Sequence, residues 1–426
     1  MVLFIMFVRQ YFQSCVSPIY PSAEENSIVV TWSTFENVST PMVEYGPHSL
    51  IVDYEDKPSF LTMKATGYST LFVDSGQEKR QQYIHRVSLK NLLPGGSYLY
   101  HVGSKEGWSS LFVMKVPLNG TNWSPRFAIY GDLGAENAQS LPRLQEEVQA
   151  GMYDAIIHVG DFAYDMDWDN GRVGDKFMRL IEPIAAYIPY MTAVGNHEYA
   201  YNFSHYKERF SMPSDSKNLF YSFNMGPAHF ICVSTEVYFY TNYGWHQLIR
   251  QYKWLEEDLM VATEPENRKE RPWIILLGHR PMYCSDYNRD DCHHYTSLVR
   301  VGFLGWFGLE RLLWDYGVDV AIWAHEHSYE RLFPTYNLGI YKGSEAEPYV
   351  NPRAPVHIIT GSAGCRERVD HFGAPGPWSA FRSSDYGFTR LTIHNGTHLH
   401  FEQVSDDQAW ASSDIPASLK RLHRMN

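Results

Sequence analysis

The chain has 426 residues, which is enough for two or three domains, each with a sizeable core. Its hydrophobic content of 44% and aromatic content of 15% exclude an intrinsically disordered protein. The formal net charge of -12 argues against a nucleic-acid partner, because binding to phosphates needs clustered positive charge. An anionic substrate would therefore need a local source of positive charge, and bound metal ions can supply it.

The N-terminal residues 1–8 form an apolar run that is too short to span a bilayer. The run fits the apolar region of a signal peptide but lacks a preceding basic segment, so its role stays open. No later segment is a candidate transmembrane helix. Five Asn-X-Ser/Thr sequons favour a secreted glycoprotein, with a lysosomal location as the alternative. They begin at Asn37, Asn119, Asn122, Asn202 and Asn395.

The cysteines support the same compartment. Cys284 and Cys292 lie eight residues apart in a polar loop, where a local disulfide suits an oxidising environment. Two unpaired loop thiols are the alternative. Cys232 lies in the apolar run 229–233 and is expected to be a buried strand residue.

Short β-type runs separated by turn residues occupy the chain up to about residue 116. They are found at 28–32, 42–45, 83–87, 97–102 and 110–114. This spacing predicts a small β-sandwich. Trp32 and the turn at 92–95 resemble a fibronectin type III domain, which we place at 19–118, followed by a linker up to Pro125.

From Pro125 onward the pattern alternates between strands and helices. Helices are predicted at 139–149, 176–187 and 245–262. Apolar strands are predicted at 127–130, 155–159, 191–194, 273–277, 318–323 and 356–360. Two further strands, at 388–393 and 398–401, flank Asn395-Gly396, which is a strong hairpin signal.

Five polar motifs follow the predicted parallel strands. They are Gly131-Asp132-Leu133-Gly134, Gly160-Asp161-Phe162-Ala163-Tyr164, Gly195-Asn196-His197-Glu198, Gly278-His279-Arg280-Pro281 and Ala324-His325-Glu326-His327. Open α/β sheets hold their ligands at the carboxyl ends of the strands, so we expect these side chains to converge. Carboxylate, phenol, amide and imidazole groups together indicate a metal site with mixed oxygen and nitrogen donors.

The five motifs resemble the metal-binding blocks of the purple acid phosphatases, a family within the calcineurin-like metallophosphoesterases. The segments 278–285 and 323–332 are most similar to the metazoan long-chain acid phosphatase type 7 group. The resemblance implies an α/β protein, α+β overall, in which the N-terminal sandwich precedes a catalytic domain at 125–405. That domain would be a β-sandwich flanked by helices (αββα), and its part at 355–405 would include the family's C-terminal segment.

The resemblance also implies a dinuclear centre of Fe(III) and a divalent metal, which can be Zn(II), Fe(II) or Mn(II). By motif, the implied Fe(III) ligands are Asp132, Asp161, Tyr164 and His327. The implied ligands of the divalent metal are Asp161, Asn196, His279 and His325, so Asp161 bridges the two ions. Hard phenolate and carboxylate oxygens suit Fe(III), whereas an amide oxygen and two imidazoles suit the divalent ion. A tyrosinate on Fe(III) gives the family its colour.

The implied reaction is hydrolysis of small phosphate monoesters at acidic pH, with a metal-bound hydroxide attacking phosphorus in line. His197 is expected to hydrogen-bond the phosphate or to protonate the leaving group, and simple packing is the alternative. His293 and His294 lie where the family commonly has a further substrate-side histidine. Because the loop from Cys284 to Cys292 lengthens this spacing, the sequence leaves open which of them reaches the site.

The sequence departs from the family pattern in three places. Ala324 replaces the glycine that many members have, and no loss of metal binding is expected because this residue contributes only backbone. Residues 1–18 do not match the strand that opens the family's N-terminal domain. The tail after Asp407 does not match the strand that the family has there. We therefore expect no strand at either end.

Two other functions are the alternatives. Other metallophosphoesterases, such as phosphodiesterases, nucleotidases and protein phosphatases, typically lack a tyrosine three residues after the second aspartate, so Tyr164 argues against them. A secreted binding protein on an inactive scaffold would have lost metal ligands. All seven matched positions are filled here, which argues against this function as well.

Overall fold

The computed structural model describes residues 13–16, 27–48, 61–214, 216–287, 292, 297–408 and 417–420. The N-terminal part consists of two antiparallel sheets. Their strands in chain order are β1 (Gln13–Val16), β2 (Ile28–Thr34), β3 (Met42–Pro47), β4 (Met63–Thr66), β5 (Tyr68–Val73), β6 (Gln81–Leu89), β7 (Ser97–Ser104), β8 (Gly107–Trp108) and β9 (Phe112–Lys115). One sheet has the order β1-β2-β6-β5, and the other has the order β4-β3-β7-β8, with β9 paired to β7.

These two sheets enclose a core of their own, in which Trp32, Val87 and Tyr100 are almost fully buried. Two antiparallel layers around one core form a β-sandwich, so the predicted architecture is confirmed. The sequence indicated neither β4 nor β5. Both strands lie at sheet edges. β4 alternates apolar and polar residues over only four positions, and β5 shows no regular alternation.

The second part of the chain alternates strands and helices, as predicted. Its strands are β10 (Arg126–Tyr130), β11 (Ala155–Val159), β12 (Tyr190–Ala193), β13 (Tyr221–Met225), β14 (Ala228–Cys232), β15 (Trp273–Leu277), β16 (Gly302–Phe303), β17 (Trp306–Phe307), β18 (Val320–Trp323), β19 (Tyr329–Leu332), β20 (Thr335–Tyr336), β21 (Gly339–Ile340), β22 (Val356–Thr360), β23 (Ser379–Ser383), β24 (Gly387–Asn395), β25 (His398–Ser405) and β26 (Ala417–Lys420). Its helices are α1 (Leu141–Gln149), α2 (Arg172–Ala185), α3 (Ala200–Arg209), α4 (Trp245–Thr263), α5 (Pro265–Glu270), α6 (Leu298–Val301) and α7 (Leu309–Asp315).

Two large sheets form the centre of this part. The six-stranded sheet has the order β12-β11-β10-β24-β25-β26, and the seven-stranded sheet has the order β13-β14-β15-β18-β22-β19-β23. The strands β10, β11 and β12 are parallel, as are β14, β15, β18 and β22. The predicted parallel strands are therefore confirmed, and β24 and β25 form the predicted hairpin.

The sheets pack against each other, with helices on their outer faces. Phe230 of β14 packs in the core shared by both sheets, whereas its neighbour Ile231 packs against Leu255 of α4 in a second core. Helices α1 and α2 contribute Leu144 and Phe177 to the shared core. Because the inner strands are buried on both faces, their sequences are continuous apolar runs. This layering is the expected αββα arrangement.

The expectation of no strand at either end of the chain was wrong. The strand β1 pairs antiparallel with β2, and β26 pairs antiparallel with β25. Both lie at sheet edges, where backbone hydrogen bonds can add a short strand without a strong apolar pattern. The apolar run at residues 1–8 lies outside the described residues. Within the described ranges, no helix has the length and apolar character needed to cross a membrane.

The cysteine predictions agree with the structure. Cys284 and Cys292 form a disulfide, with their Cα atoms 5.6 Å apart. Cys232 is a fully buried residue of β14.

Asp175 of α2 connects the two parts of the molecule. Its carboxylate accepts hydrogen bonds from Arg80 at 2.7 Å and Gln82 at 2.6 Å, both in the N-terminal sandwich, and from Arg209 at 2.9 Å. Burial raises the pKa of Asp175, but the charges of Arg209 and Arg80 and these hydrogen bonds outweigh burial and lower it below its usual value. A buried, ionised carboxylate therefore lies at the interface between the two parts.

Replacing Asp175 should destabilise the fold. Asp175→Asn is expected to reduce the free energy of unfolding by about 3 kcal/mol, because the buried guanidinium of Arg209 loses its charged partner. Urea unfolding at pH 7 measures this change. The control is Asp169→Asn, which removes an exposed carboxylate near Arg172 and should change stability by less than about 0.5 kcal/mol.

The effect should persist in acid. Because the folded-state pKa of Asp175 is lowered, its stabilising contribution is present above its usual pKa and is lost only as the pH falls through the lowered value. The difference between wild type and Asp175→Asn should therefore be similar at pH 5 and pH 7. A difference that disappears at pH 5 would contradict this assignment.

Candidate metal centre

The five polar motifs meet where the carboxyl ends of the parallel strands of both sheets come together. Asp132 and Asp161 follow β10 and β11, Asn196 lies just after β12, and His279 and His325 follow β15 and β18. The turns after these strands can approach each other only because glycine occupies positions 160 and 195. A Cβ atom at Gly160 would lie 2.4 Å from Nδ1 of His279, and one at Gly195 would lie 2.2 Å from Oδ1 of Asp161. The predicted convergence is therefore present.

One group of side chains that could bind a metal ion surrounds the phenol of Tyr164. The hydroxyl donates to Oδ1 of Asp132 at 2.9 Å and lies 2.8 Å from Nε2 of His327. Asp132 also accepts the backbone N–H of His325 at 3.0 Å. All three donor side chains are at least nine-tenths buried.

A second group surrounds Nε2 of His279. This atom lies 3.0 Å from Oδ1 of Asn196 and 3.2 Å from Oδ2 of Asp161. Donor atoms of Asp161, His279 and His325 all lie within 4.8 Å of one another. Nη1 of Arg280 lies 3.1 Å from Nε2 of His325, and Arg280 is itself paired with Glu236 at 3.0 Å.

Asp161 is electrostatically coupled to both groups. Burial raises the pKa of its carboxyl, but the charges of His279 and His197 and hydrogen bonds from both residues outweigh this and lower it far below the usual value. Burial, with the charges of Asp132 and Asp161, also raises the pKa of Tyr164 well above its usual value. The charge of one carboxylate, that of Asp161, therefore acts on side chains of both groups.

The backbone at the site adopts conformations that ordinary residues rarely adopt. The residues with a positive φ include Asp132 at 58°, Asp161 at 53°, Tyr164 at 51° and His325 at 69°. Such conformations cost about 1–3 kcal/mol each and concentrate at functional sites. The fold thus accepts strain to aim these four side chains into the cluster.

Two histidines are oriented by backbone carbonyls. Nδ1 of His279 lies 2.8 Å from the carbonyl oxygen of Val159, and Nδ1 of His327 lies 2.8 Å from that of Arg368. Because a carbonyl oxygen only accepts hydrogen bonds, each Nδ1 carries a proton and each Nε2 faces the cluster. This is the arrangement of metal-binding histidines.

Glu198 is the last residue of the third motif, and the sequence indicated no role for it. Its buried carboxylate accepts the backbone N–H groups of Asp161 at 2.9 Å, Phe162 at 2.9 Å and Gly195 at 3.0 Å. It therefore ties the turn after β11 to the turn after β12. A glutamate at the third residue of a helical turn is a known capping signal, so this role was detectable in the sequence.

His197 is oriented by Asp165, which the sequence did not single out. Nδ1 of His197 lies 2.5 Å from Oδ1 of Asp165, and its ring packs on Tyr164 with centroids 4.1 Å apart. Burial lowers the pKa of His197, but the charge of Asp161 and the hydrogen bond to Asp165 raise it to about 9. Nε2 lies 3.9 Å from Oδ2 of Asp161, so it faces the cluster.

Cys365 is a further neighbour that the sequence did not single out. Its sulfur lies 3.6 Å from Nδ1 of His327, and the residue is fully buried. The available signal was its position just after the Gly361–Gly364 turn, which follows the parallel strand β22. His293 and His294 lie outside the described residues.

The donor set suits transition metals. It contains two carboxylates, one phenol, one amide oxygen and three imidazoles, from Asp132, Asp161, Tyr164, Asn196, His279, His325 and His327. Phenolate and carboxylate donors are typical ligands of Fe(III), and imidazole suits Zn and Fe(II), whereas Ca²⁺ and Mg²⁺ prefer oxygen alone. These residues therefore fit a mixed oxygen and nitrogen metal centre.

Three protein-family models match most of the chain. Residues 17–116 match the family model for the purple acid phosphatase N-terminal domain. Residues 125–329 match the model for calcineurin-like phosphoesterases, and residues 354–413 match that of iron/zinc purple acid phosphatase-like protein C.

Individual relatives agree with these matches. The chain is 55% identical over 410 residues to Acid phosphatase type 7 of Danio rerio, covering 95% of this chain and 90% of the relative. Over 392 residues it is also 55% identical to the Homo sapiens protein of that name, covering 91% and 86%. It is 30% identical over 418 residues to the Fe(3+)-Zn(2+) purple acid phosphatase 12 of Arabidopsis thaliana, covering 92% and 81%.

A solved structure supports the fold. The purple acid phosphatase PPD1 from yellow lupin seeds has a TM-score of 0.78 to this chain at 24% sequence identity, covering 97% of this chain and 74% of that one. At this identity the likeness concerns the fold alone. Taken with the family models and the close relatives, it leads to one conclusion: the chain belongs to the purple acid phosphatase family, and it is a hydrolase with that family's mixed α/β fold.

Proposed function

We propose that this protein hydrolyses small phosphate monoesters at acidic pH, using a dinuclear centre of Fe(III) and a divalent metal. The observation that carries the proposal is the pair of donor groups around Tyr164 and His279, with Asp161 coupled to both. The relatives named acid phosphatase support the substrate class, and the relative named for Fe(3+) and Zn(2+) supports the metals.

The ligand assignment follows the two groups. Fe(III) would be held by Asp132, Asp161, Tyr164 and His327. The divalent ion, which can be Zn(II), Fe(II) or Mn(II), would be held by Asp161, Asn196, His279 and His325. When bound, such a metal pair supplies positive charge to the phosphoryl oxygens and acidifies a water molecule for in-line attack. The first group contains the phenol, which favours Fe(III) there.

The chain's own part in the reaction is to bind the phosphate and to move a proton. His197 has Nδ1 fixed by Asp165, which leaves Nε2 to donate a hydrogen bond to a phosphate oxygen or a proton to the leaving alkoxide. The hydrogen bond to Asp165 favours the protonated form of His197, which is the form that a proton donor needs. Asp165 acts through His197 and is a positioning residue. We assign a substrate-side role to His293 and His294 from the family pattern alone.

The domain boundaries and the compartment also remain proposals. We propose a fibronectin type III-like domain at 19–118 and a catalytic domain at 125–405, consistent with the two separate cores. A secreted or lysosomal glycoprotein is supported by the disulfide and by the exposure of four sequon asparagines, which are Asn37, Asn119, Asn122 and Asn395.

The function is tested by comparing wild type with Tyr164→Phe. We expect purified wild-type protein to be coloured, to contain iron and a second metal, and to hydrolyse p-nitrophenyl phosphate best below pH 7. Tyr164→Phe should lose the visible band, because the colour arises from the phenolate on Fe(III). Visible spectra, metal analysis and pH–rate profiles measure these properties.

Two outcomes would contradict separate parts of the proposal. A colourless, iron-free wild-type protein that is active only near neutral pH would overturn the function. A visible band that persists in Tyr164→Phe would overturn the ligand assignment but not the reaction.

The role of His197 is tested separately. His197→Ala should lower kcat about 100-fold with unchanged metal content, because it removes a proton donor but no metal ligand. Asp165→Asn should lower kcat about tenfold and shift the alkaline limb of the pH–rate profile to lower pH, because His197 loses a charged partner that raises its pKa. The control Asp169→Asn changes an exposed carboxylate and should leave kcat and the pH–rate profile unchanged. An unchanged kcat in metal-loaded His197→Ala would show that His197 only packs.

A further inference from the structure

A cluster of carboxylates lies directly behind the turn that carries His325 and His327. One oxygen atom from each of Asp286, Glu326 and Asp370 lies within 4.8 Å of the others. Asp286 and Glu326 are buried, and Asp370 is half-buried. Glu330, which is fully buried, is close enough for its charge to act on Asp286. Several negative groups are therefore concentrated where water has little access.

Asp286 provides an independent sign that a ligand is needed. Its side chain is about 95% buried, since the residue is 5% exposed. Within the described part of the chain, neither of its carboxylate oxygens accepts a hydrogen bond. The hydroxyl of Ser328 lies close enough to lower the pKa of Asp286, yet its geometry does not make a hydrogen bond. A buried carboxylate in this state is costly unless a cation or a proton neutralises it.

A neighbouring positive charge, that of Arg382, acts on Asp286 and Glu330 but makes no hydrogen bond to Asp286. Arg382 donates to the carbonyl oxygen of Gly373 at 2.9 Å, and its guanidinium lies 4.7 Å from the centre of the Phe372 ring. Burial, with the charges of Glu330 and Asp370, raises the pKa of Asp286 to about 7 in spite of Arg382. The raised pKa therefore agrees with the lack of a hydrogen-bond donor to Asp286 among the described residues.

We propose that Asp286, Glu326 and Asp370 form a structural Ca²⁺ site behind the catalytic centre. The candidate donors are all oxygen atoms, which is the preference of Ca²⁺. Cys284 and Cys292 lie beside Glu326, but their disulfide removes them as thiolate ligands. The spacing of the oxygens suits an ion whose ligands lie about 2.3–2.6 Å away, with waters completing the coordination.

The position of the site explains what the ion would stabilise. Oδ2 of Asp370 accepts the backbone N–H of His327 at 2.7 Å, and Glu326 lies between the two histidines in sequence. On the other side, Asp286 forms a β-bridge with Phe372, next to the disulfide loop. The ion would therefore join this loop to the turn that carries two proposed metal ligands. This inference does not depend on the proposed reaction.

The experiment uses the full-length, metal-loaded protein at pH 8, after treatment with EGTA to remove Ca²⁺. Equilibrium dialysis with Ca²⁺ should show one site per chain, with a Kd on the order of 10⁻⁴ M. Saturating Ca²⁺ should raise Tm by about 3 °C. Metal analysis of the same samples checks that iron and the divalent metal are retained, which separates this site from the catalytic centre.

Two variants test the residues. Asp286→Asn should lose Ca²⁺ binding and the rise in Tm, and in EGTA it should be at least as stable as wild type, because one buried charge is removed. Glu330→Gln, which changes a neighbouring carboxylate, should weaken binding at least tenfold. The control Glu345→Gln removes an exposed carboxylate that pairs with Lys342 and should bind Ca²⁺ like wild type.

Each contrary outcome overturns the proposal. If wild type binds no Ca²⁺ at pH 8, protons or other parts of the chain neutralise the cluster. If Asp286→Asn binds Ca²⁺ as tightly as wild type, the ion lies elsewhere. If Mg²⁺ or Zn²⁺ raises Tm as much as Ca²⁺ does and competes with it, the site is not a calcium site.

Discussion

The charge of the buried Asp161 carboxylate is the constraint on which the candidate metal centre depends. The side chain is 1% exposed, and burial of an ionised group is tolerated only when other groups neutralise it. His279 lies 3.2 Å from Oδ2, and the backbone N–H of His197 donates to Oδ1 at 2.9 Å. The surrounding groups thus compensate one negative charge, and bound cations would neutralise it further.

Much of the molecule serves to hold that carboxylate and its neighbours in place. Glu198 binds three backbone N–H groups in the turns after β11 and β12, and glycines at 160 and 195 allow those turns to approach. The imidazoles of His279 and His327 are turned by carbonyl oxygens, so their orientation is set before any ligand arrives. Preorganisation of this kind would lower the cost of ordering the site for the proposed metals and phosphate.

Two other buried aspartates show that buried negative charge is compensated in different ways in this protein. At the interface with the N-terminal sandwich, Asp175 is neutralised by Arg80 and Arg209, and its pKa is lowered. Behind the catalytic turn, Asp286 is equally buried but has a raised pKa and no hydrogen-bond partner among the described residues. The contrast between these two aspartates is the reason that the second is the better candidate for an external cation.

Most of the fold and of the donor set was predictable from local sequence. The continuous apolar runs of β11, β15 and β22 were located to the residue, because strands buried on both faces leave an unbroken pattern. The edge strands β1, β4, β5 and β26 were among those missed, because pairing at an edge depends on the neighbouring strand and not on a strong apolar pattern. The sequence also did not indicate β13, β19 and β23 of the seven-stranded sheet.

Five short motifs contain the residue types of the site, so the sequence by itself determined the chemistry of Asp132, Asp161, Tyr164, Asn196, His279, His325 and His327. Their division into two groups was implied only by the resemblance to the family, because the spacing of the motifs along the chain does not determine it. Which side chains lie within 3 Å of each other depends on how two sheets pack, and that packing joins residues more than 160 positions apart, such as Tyr164 and His327. The support from Asp165 and the carboxylate cluster at Asp286 likewise arise from contacts between distant segments, so only the tertiary structure decided them.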